Sequence, residues 1–190
     1  MKLKLIIIIF FSLPLISVGQ KNYVLLDAYS SATINCINHL QSGMRILVSI
    51  PTKKDWLGIT SESFVLDQGF GQSLIGTEFK VSKSLFISTL IGISNNPENP
   101  FRLGTSARYI SPKIEGLLVY QWGPKTDYFY IAKWTFKVKN FNIGARSQRF
   151  LNTGIYLNYH LNKILSIWSQ VGKDFELKNN TIALGISGKF

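Results

Sequence analysis

The sequence predicts an all-β chain. The expected architecture is an up-and-down antiparallel transmembrane β-barrel of about twelve strands (ten being the alternative) after a cleaved N-terminal signal peptide. Three observations lead there. Apolar and polar residues alternate with period two through most of the chain, which is the pattern of strands with unlike faces. The first twenty residues, "MKLKLIIIIFFSLPLISVGQ", have a basic start at Lys2 and Lys4, an apolar run from Leu5, and small residues at Ser17 and Gly19, the anatomy of an export signal. After that leader no apolar run is long enough for a spanning helix. A chain that crosses a membrane with strands must close them, because an open edge leaves backbone groups unpaired in hydrocarbon.

The expected division is a signal peptide over 1–19 and one barrel domain over 20–190. An uncleaved anchor is the alternative for the leader. No cysteine sits at the cut, which argues against a lipoprotein, and the single Cys36 cannot form an internal disulfide. An exported chain of this kind is held by packing or by a closed sheet. The formal net charge is +11, or +9 once residues 1–19 are removed. Such a balance suits anionic lipid or lipopolysaccharide phosphates. Nucleic acid is not an expected partner, since no nucleic-acid module is present and the chain is exported.

Taken in order, strands are expected near 30–37, 43–50, 56–66, 74–82, 85–94 and 101–110, then 113–122, 128–138, 141–149, 153–161, 164–173 and 181–190. The first is the weakest. The strand at 56–66 breaks parity, because Leu57 and Ile59 set one face and Phe64 and Leu66 the other; a bulge near Ser61–Ser63 would reconcile them. "IGTEFKVS" sets Ile75, Thr77, Phe79 and Val81 against Gly76, Glu78, Lys80 and Ser82. "FRLGTSARYI" sets Phe101, Leu103, Thr105, Ala107 and Tyr109 against Arg102, Gly104, Ser106 and Arg108. "FNIGARSQ" opposes Phe141, Ile143 and Ala145 to Asn142, Gly144, Arg146 and Gln148. "TGIYLNYHL" opposes Ile155, Leu157, Tyr159 and Leu161 to Gly154, Tyr156, Asn158 and His160. The polar face mixes arginines with glycines and small hydroxyls, which suits a narrow lumen. The other face, rich in Leu, Ile, Tyr and Phe, suits lipid.

The breaks alternate in length, with "PTKKD" at 51–55 and "RFLN" near 150 as the two exceptions. "NK" at 162–163, "KN" at 139–140, "SP" at 111–112 and "KS" at 83–84 are tight; "DFELKNN", "GPKTD", "NNPENP" and "DQGFGQS" are longer. Placing Phe190 at the periplasmic rim puts the tight turns there, as in bacterial barrels. Aromatics on the lipid-facing parity then form two girdles. Phe101, Tyr120, Trp122, Tyr128 and Tyr130 lie at one end; Tyr109, Phe136, Phe141, Tyr159 and Phe190 lie at the other.

In its leader, its alternating strands and its terminal "TIALGISGKF", the chain resembles small bacterial outer-membrane β-barrel proteins. The resemblance is architectural and covers roughly residues 30–190. It implies a bacterial outer-membrane location, with membrane lipid and lipopolysaccharide as surroundings. It also implies that Ile182, Leu184, Ile186 and Phe190 form the signal read by the barrel-assembly machinery during insertion.

The inner parity carries the basic residues Arg45, Lys80, Arg102, Arg108, Lys133, Lys137 and Arg146, with Lys113 and Lys189. The acidic partners expected there are Glu62, Glu78 and Glu115. Buried charges must be wet or paired. A water-filled lumen with this excess would favour anions; a lumen plugged by bridged side chains is the other outcome. Leu117, Val119, Phe129 and Ile131 share the inner parity. Only His39 and His160 offer histidine chemistry, and His160 is expected to point inward, with Ser166 and Ser187 on successive strands. There is no HExxH motif, Cys/His cluster, acidic calcium loop or phosphate cradle, so no metal, cofactor or catalytic residue is assigned. The function expected is a non-enzymatic integral barrel, structural or a narrow anion-leaning pore. A soluble secreted or periplasmic barrel binding a small ligand, and an outer-membrane lipid-modifying enzyme, are the alternatives.

Overall fold

Alternation gives each segment one face for lipid and one for the interior, and closure lets every strand find two neighbours. The computed structural model describes residues 23–34, 36–124, 128–176 and 178–190, without the side chains of residues 36–39. The expected leader over 1–19 lies outside the described residues. The strands are β1 (Tyr23–Thr33), β2 (Cys36–Pro51), β3 (Leu57–Leu66), β4 (Gly71–Lys80), β5 (Leu85–Ser94), β6 (Phe101–Ile110), β7 (Ile114–Trp122), β8 (Tyr128–Val138), β9 (Phe141–Gln148), β10 (Asn152–His160), β11 (Leu165–Asp174) and β12 (Asn179–Lys189). Each pairs antiparallel with its sequence neighbours, and β12 returns to β1, so the twelve strands form a closed barrel. At the seam Asp27 lies opposite Ser187 and Thr33 opposite Thr181. Beyond the ladder, Phe190 exchanges backbone hydrogen bonds of 2.9 and 3.1 Å with Val24. Both ends of the described barrel therefore meet at one rim, called here the terminal rim; the opposite one is the distal rim.

The greasy parity faces out. Ile155, Leu184 and Ile186 are 71 %, 60 % and 54 % exposed, with Ile75, Ile91, Leu118 and Val171 in the same state. So much exposed aliphatic surface is foreign to a water-soluble monomer and is what hydrocarbon requires. Aromatic rings band both rims. Tyr120 stacks on Tyr128, and Tyr128 on Tyr130, toward the distal end. Trp56 stacks on Phe79 and Tyr109 on Trp134 toward the terminal end.

Three expectations need correction. The first strand is not 30–37: β1 runs from Tyr23 to Thr33, and β2 starts at Cys36. The run Val24–Leu25–Leu26 hides the alternation that resumes at Asp27. No bulge interrupts β3, whose register runs unbroken from Gly58 to Leu66 against β2 and from Leu57 to Val65 against β4; Phe64 and Leu66 keep the inward parity and fill the interior. The described register shift lies instead between Ala32 and Thr33 in the β1–β2 pair. The length alternation of the connections largely disappears. Strands run into the expected loops, β4 from Gly71 and β12 from Asn179, leaving 67–70 at the distal rim against 52–56 and 81–84 at the terminal rim. The β4 extension is held by the Asn95 carboxamide oxygen, which accepts from the Gly71 N–H at 2.9 Å.

Glycines make room for rings. A methyl on Gly43 would stand 2.6 Å from the Tyr29 ring, and one on Gly185 would stand 2.4 Å from the Trp168 indole. Each ring lies flat over the strand beside it because that strand has no side chain there.

Leu184 sits halfway along β12 with its side chain outward. Leu184→Arg should lower barrel stability in lipid vesicles by about 2–4 kcal/mol, whereas Leu184→Phe should stay within about 0.5 kcal/mol. Urea titration of both variants in the same vesicles checks this.

Candidate functional site

Strand parity carries the charged side chains into the barrel, where an unpaired buried charge is costly. Ion pairs result. Arg45 Nε donates to Glu62 Oε1 at 2.8 Å between β2 and β3. Arg108 Nη2 donates to both Glu78 oxygens at 3.0 and 2.9 Å, reaching from β6 across β5 to β4. Lys133 Nζ donates to Glu115 Oε1 at 2.9 Å between β8 and β7. Arg146 Nη2 reaches Asp27 Oδ2 at 3.3 Å, from β9 across the lumen to β1.

Asp27 has the most donors of these acids. Besides Arg146, its Oδ1 accepts from the Trp168 indole N–H at 2.7 Å and from the Ser187 hydroxyl at 2.9 Å. One carboxylate thus ties β1, β9, β11 and β12 together, including both strands of the closing seam. Arg146 also lies over the Trp168 ring, 4.6 Å from its centroid. Sequence reading missed Asp27 because the first strand was placed too late. Trp168 was missed as well, although it shares the Ser166, Gln170 and Gly172 parity.

Toward the distal rim the interior turns apolar. Tyr29, Phe64, Leu66, Val119, Phe129, Ile131, Leu151, Tyr156, Trp168 and Ala183 form one buried cluster, with Phe70, Leu117 and Phe150 packed against it. Phe64 and Phe129 stand 4.6 Å apart between ring centroids. Buried amides stitch its edges. Gln72 donates to Gln121, Gln148 to the Tyr29 hydroxyl at 3.1 Å, and Gln170 to the carbonyls of Arg146 and Asn152 at 2.9 and 3.1 Å.

Toward the terminal rim the interior opens into two chambers. One, of about 250 Å³, has Asp27, Arg45, Glu115, Lys133, Arg146 and His160 in its wall. The other, of about 230 Å³, has Glu78, Lys80 and Arg108. Arg102 is buried near the start of β6, well away from both. Lys80 is exposed at the end of β4, and Lys113 is exposed in the turn before β7 rather than in a strand. Lys137, half-buried, donates to the Ser111 carbonyl at 2.9 Å. Ser187 is a donor to Asp27. His160 lies 3.4 Å from the Asn158 amide nitrogen and faces the larger chamber. Ser166 pairs opposite it and Ser187 opposite Ser166. That row lies inside the barrel, on the other side of the sheet from the lipid. Ile182, Leu184, Ile186 and Phe190 all stand exposed on the outside.

No protein-family model matches the sequence, and no curated protein matches it. Solved structures do match in fold. The KdgM porin in complex with disordered oligogalacturonate aligns at TM-score 0.55 and 15% identity over 87% of this chain and 99% of that one. The NanC porin aligns at TM-score 0.54 and 13% identity over 87% of this chain and all of its own, 100%. Outer membrane phospholipase A from Escherichia coli aligns at TM-score 0.54 and 9% identity over 92% and 91%. Two porins and a phospholipase on one architecture mean that the fold leaves the activity open and the site must decide it.

Removing the Asp27 charge strands a buried guanidinium. Asp27→Ala should destabilise the barrel by about 3–5 kcal/mol, and adding Arg146→Met should recover part of that loss. Denaturant midpoints of the two variants, in one double-mutant cycle, check the coupling. The chain thus has the closed twelve-strand barrel fold of these outer-membrane proteins.

Proposed function

We propose that this chain is an integral outer-membrane β-barrel acting as a narrow, anion-leaning, non-enzymatic pore. The sorting of residues across the sheet carries this reading. The outside is apolar. Within the wall Arg45, Arg102, Arg108, Lys133, Arg146 and Lys189, six bases, stand against five acids, Asp27, Glu62, Glu78, Glu115 and Asp174. Excess fixed positive charge in a wet lumen favours anions. The KdgM porin, bound to oligogalacturonate, pairs the same fold with an anionic ligand, which supports that leaning. The apolar layer around Phe64 and Phe129 narrows the path, so conductance is small.

A soluble ligand-binding barrel needs the opposite sorting, with leucines and isoleucines inside. A lipid hydrolase needs its nucleophile on the lipid side, and His160, Ser166 and Ser187 share the inner parity. The terminal rim faces the periplasm in this reading, reached through export by the N-terminal leader. The distal rim, with Arg149, Lys173 and Lys178 at its edge, meets lipopolysaccharide phosphates. The Arg149 guanidinium lies 4.1 Å from the Tyr128 ring centroid, placing a cation at the aromatic belt. Ile182, Leu184, Ile186 and Phe190 serve as the outward signal for the assembly machinery.

Planar-bilayer recording of the purified barrel tests the pore. In a salt gradient the reversal potential should take the sign for chloride, and a cation-selective current would overturn the reading. Phe64→Ala with Phe129→Ala should raise the single-channel conductance. No current from either protein would leave a plugged structural barrel. Deleting Phe190 should reduce the fraction that reaches the membrane in heat-modifiable form on gels; normal insertion would remove its role as a signal.

A further inference from the structure

We infer that the larger chamber at the terminal rim is a binding site for one small organic carboxylate. The inference rests on the barrel and lumen described under the proposed function, but not on conduction. Five bases (Arg45, Lys133, Arg146, Lys163 and Lys189) line the chamber against two acids, Asp27 and Glu115. Both acids are occupied: Asp27 accepts three hydrogen bonds, and Glu115 takes the Lys133 ammonium. The bases are not used up. Arg45 and Arg146 are only 3% and 4% exposed. Arg45 Nη2 and Arg146 Nε have no hydrogen-bond acceptor among the described residues. A buried guanidinium N–H left unmade is costly, and a small side-chain rotation toward the chamber that both arginines line would bring these donors to an acceptor there. Carboxylate oxygens suit such donors in geometry and charge.

The rest of the wall selects what the carboxylate is attached to. Leu25, Leu117 and Ile131 supply an apolar side, and Tyr156 an aromatic one. The chamber's volume of about 250 Å³ falls below the ~300 Å³ at which drug-sized pockets begin. An oligosaccharide is too large for it, and a bare inorganic anion leaves the apolar wall without contact. Buried apolar packing narrows the distal side, where Ile131 and Tyr156 belong to the buried cluster. The site is therefore a pocket entered past Lys163 and Lys189 from the terminal rim.

Titration calorimetry on the full-length protein in lipid nanodiscs tests this with benzoate, its neutral isostere benzamide, and inorganic phosphate as probes. Benzoate should bind saturably at one site, at least tenfold more tightly than benzamide or phosphate. Arg45→Lys keeps a charge opposite Glu62 but removes the Nη2 donor, and should weaken benzoate binding at least tenfold. Lys189→Gln, at the rim and outside the ion pairs, should weaken it about threefold even if the arginine variant fails to fold. Heat-modifiable migration identifies the folded variants. No saturable benzoate binding, equal binding of benzamide, equal binding of phosphate, or wild-type affinity in both variants would each overturn the site. Bilayer currents from the same preparations separate the two readings. Anion current without benzoate binding removes only the site, and benzoate binding without current removes only the pore.

Discussion

In hydrocarbon a backbone N–H or C=O without a partner costs several kcal/mol, and no water is present to supply one. Closure of β12 onto β1 is the constraint from which the rest of this barrel follows. It requires an unbroken register around twelve strands, and a register error of one residue would turn every leucine inward and every arginine into lipid. The alternation of the sequence and the closure of the sheet thus enforce each other. The one described irregularity, at Ala32–Thr33, lies beside the distal turn, where the chain is about to leave the sheet.

Sorting by parity creates the second problem, a narrow interior crowded with charge. Desolvating an ion pair can offset its Coulombic gain, so these pairs are poor evidence for extra stability. They do constrain geometry. Asp27 joins side chains from three other strands, and its partners lie 119, 141 and 160 residues away in the chain. A carboxylate with donors so distant in sequence can be satisfied only once the barrel has closed. The ion-pair network is a consequence of closure and also a check on its register.

The interior divides along its axis, and that division shapes the functional reading. The distal half packs like a small protein core, with Phe64 against Phe129 and buried amides meeting one another. The terminal half keeps two chambers walled by charge. A conduit lined evenly by bases would show neither feature. A narrow path with a charged antechamber accounts for both, and it separates the question of what binds near the rim from the question of what crosses.

Strand number, the outward stripe, the two aromatic bands and the inward placement of Arg45, Glu62, Glu78, Arg108, Glu115, Lys133 and Arg146 were readable from alternation alone. The reason is that strand parity is a local property with a period of two residues. What lay outside the sequence's reach depended on partners far along the chain. Asp27 was hidden by a locally continuous apolar run. Phe64 and Leu66 looked like a register fault, because an aromatic plug breaks the rule that inward residues are polar. Which acid meets which base, and which half of the cylinder fills with rings, follow from the stagger of twelve strands around a closed sheet. That stagger exists only in the assembled barrel.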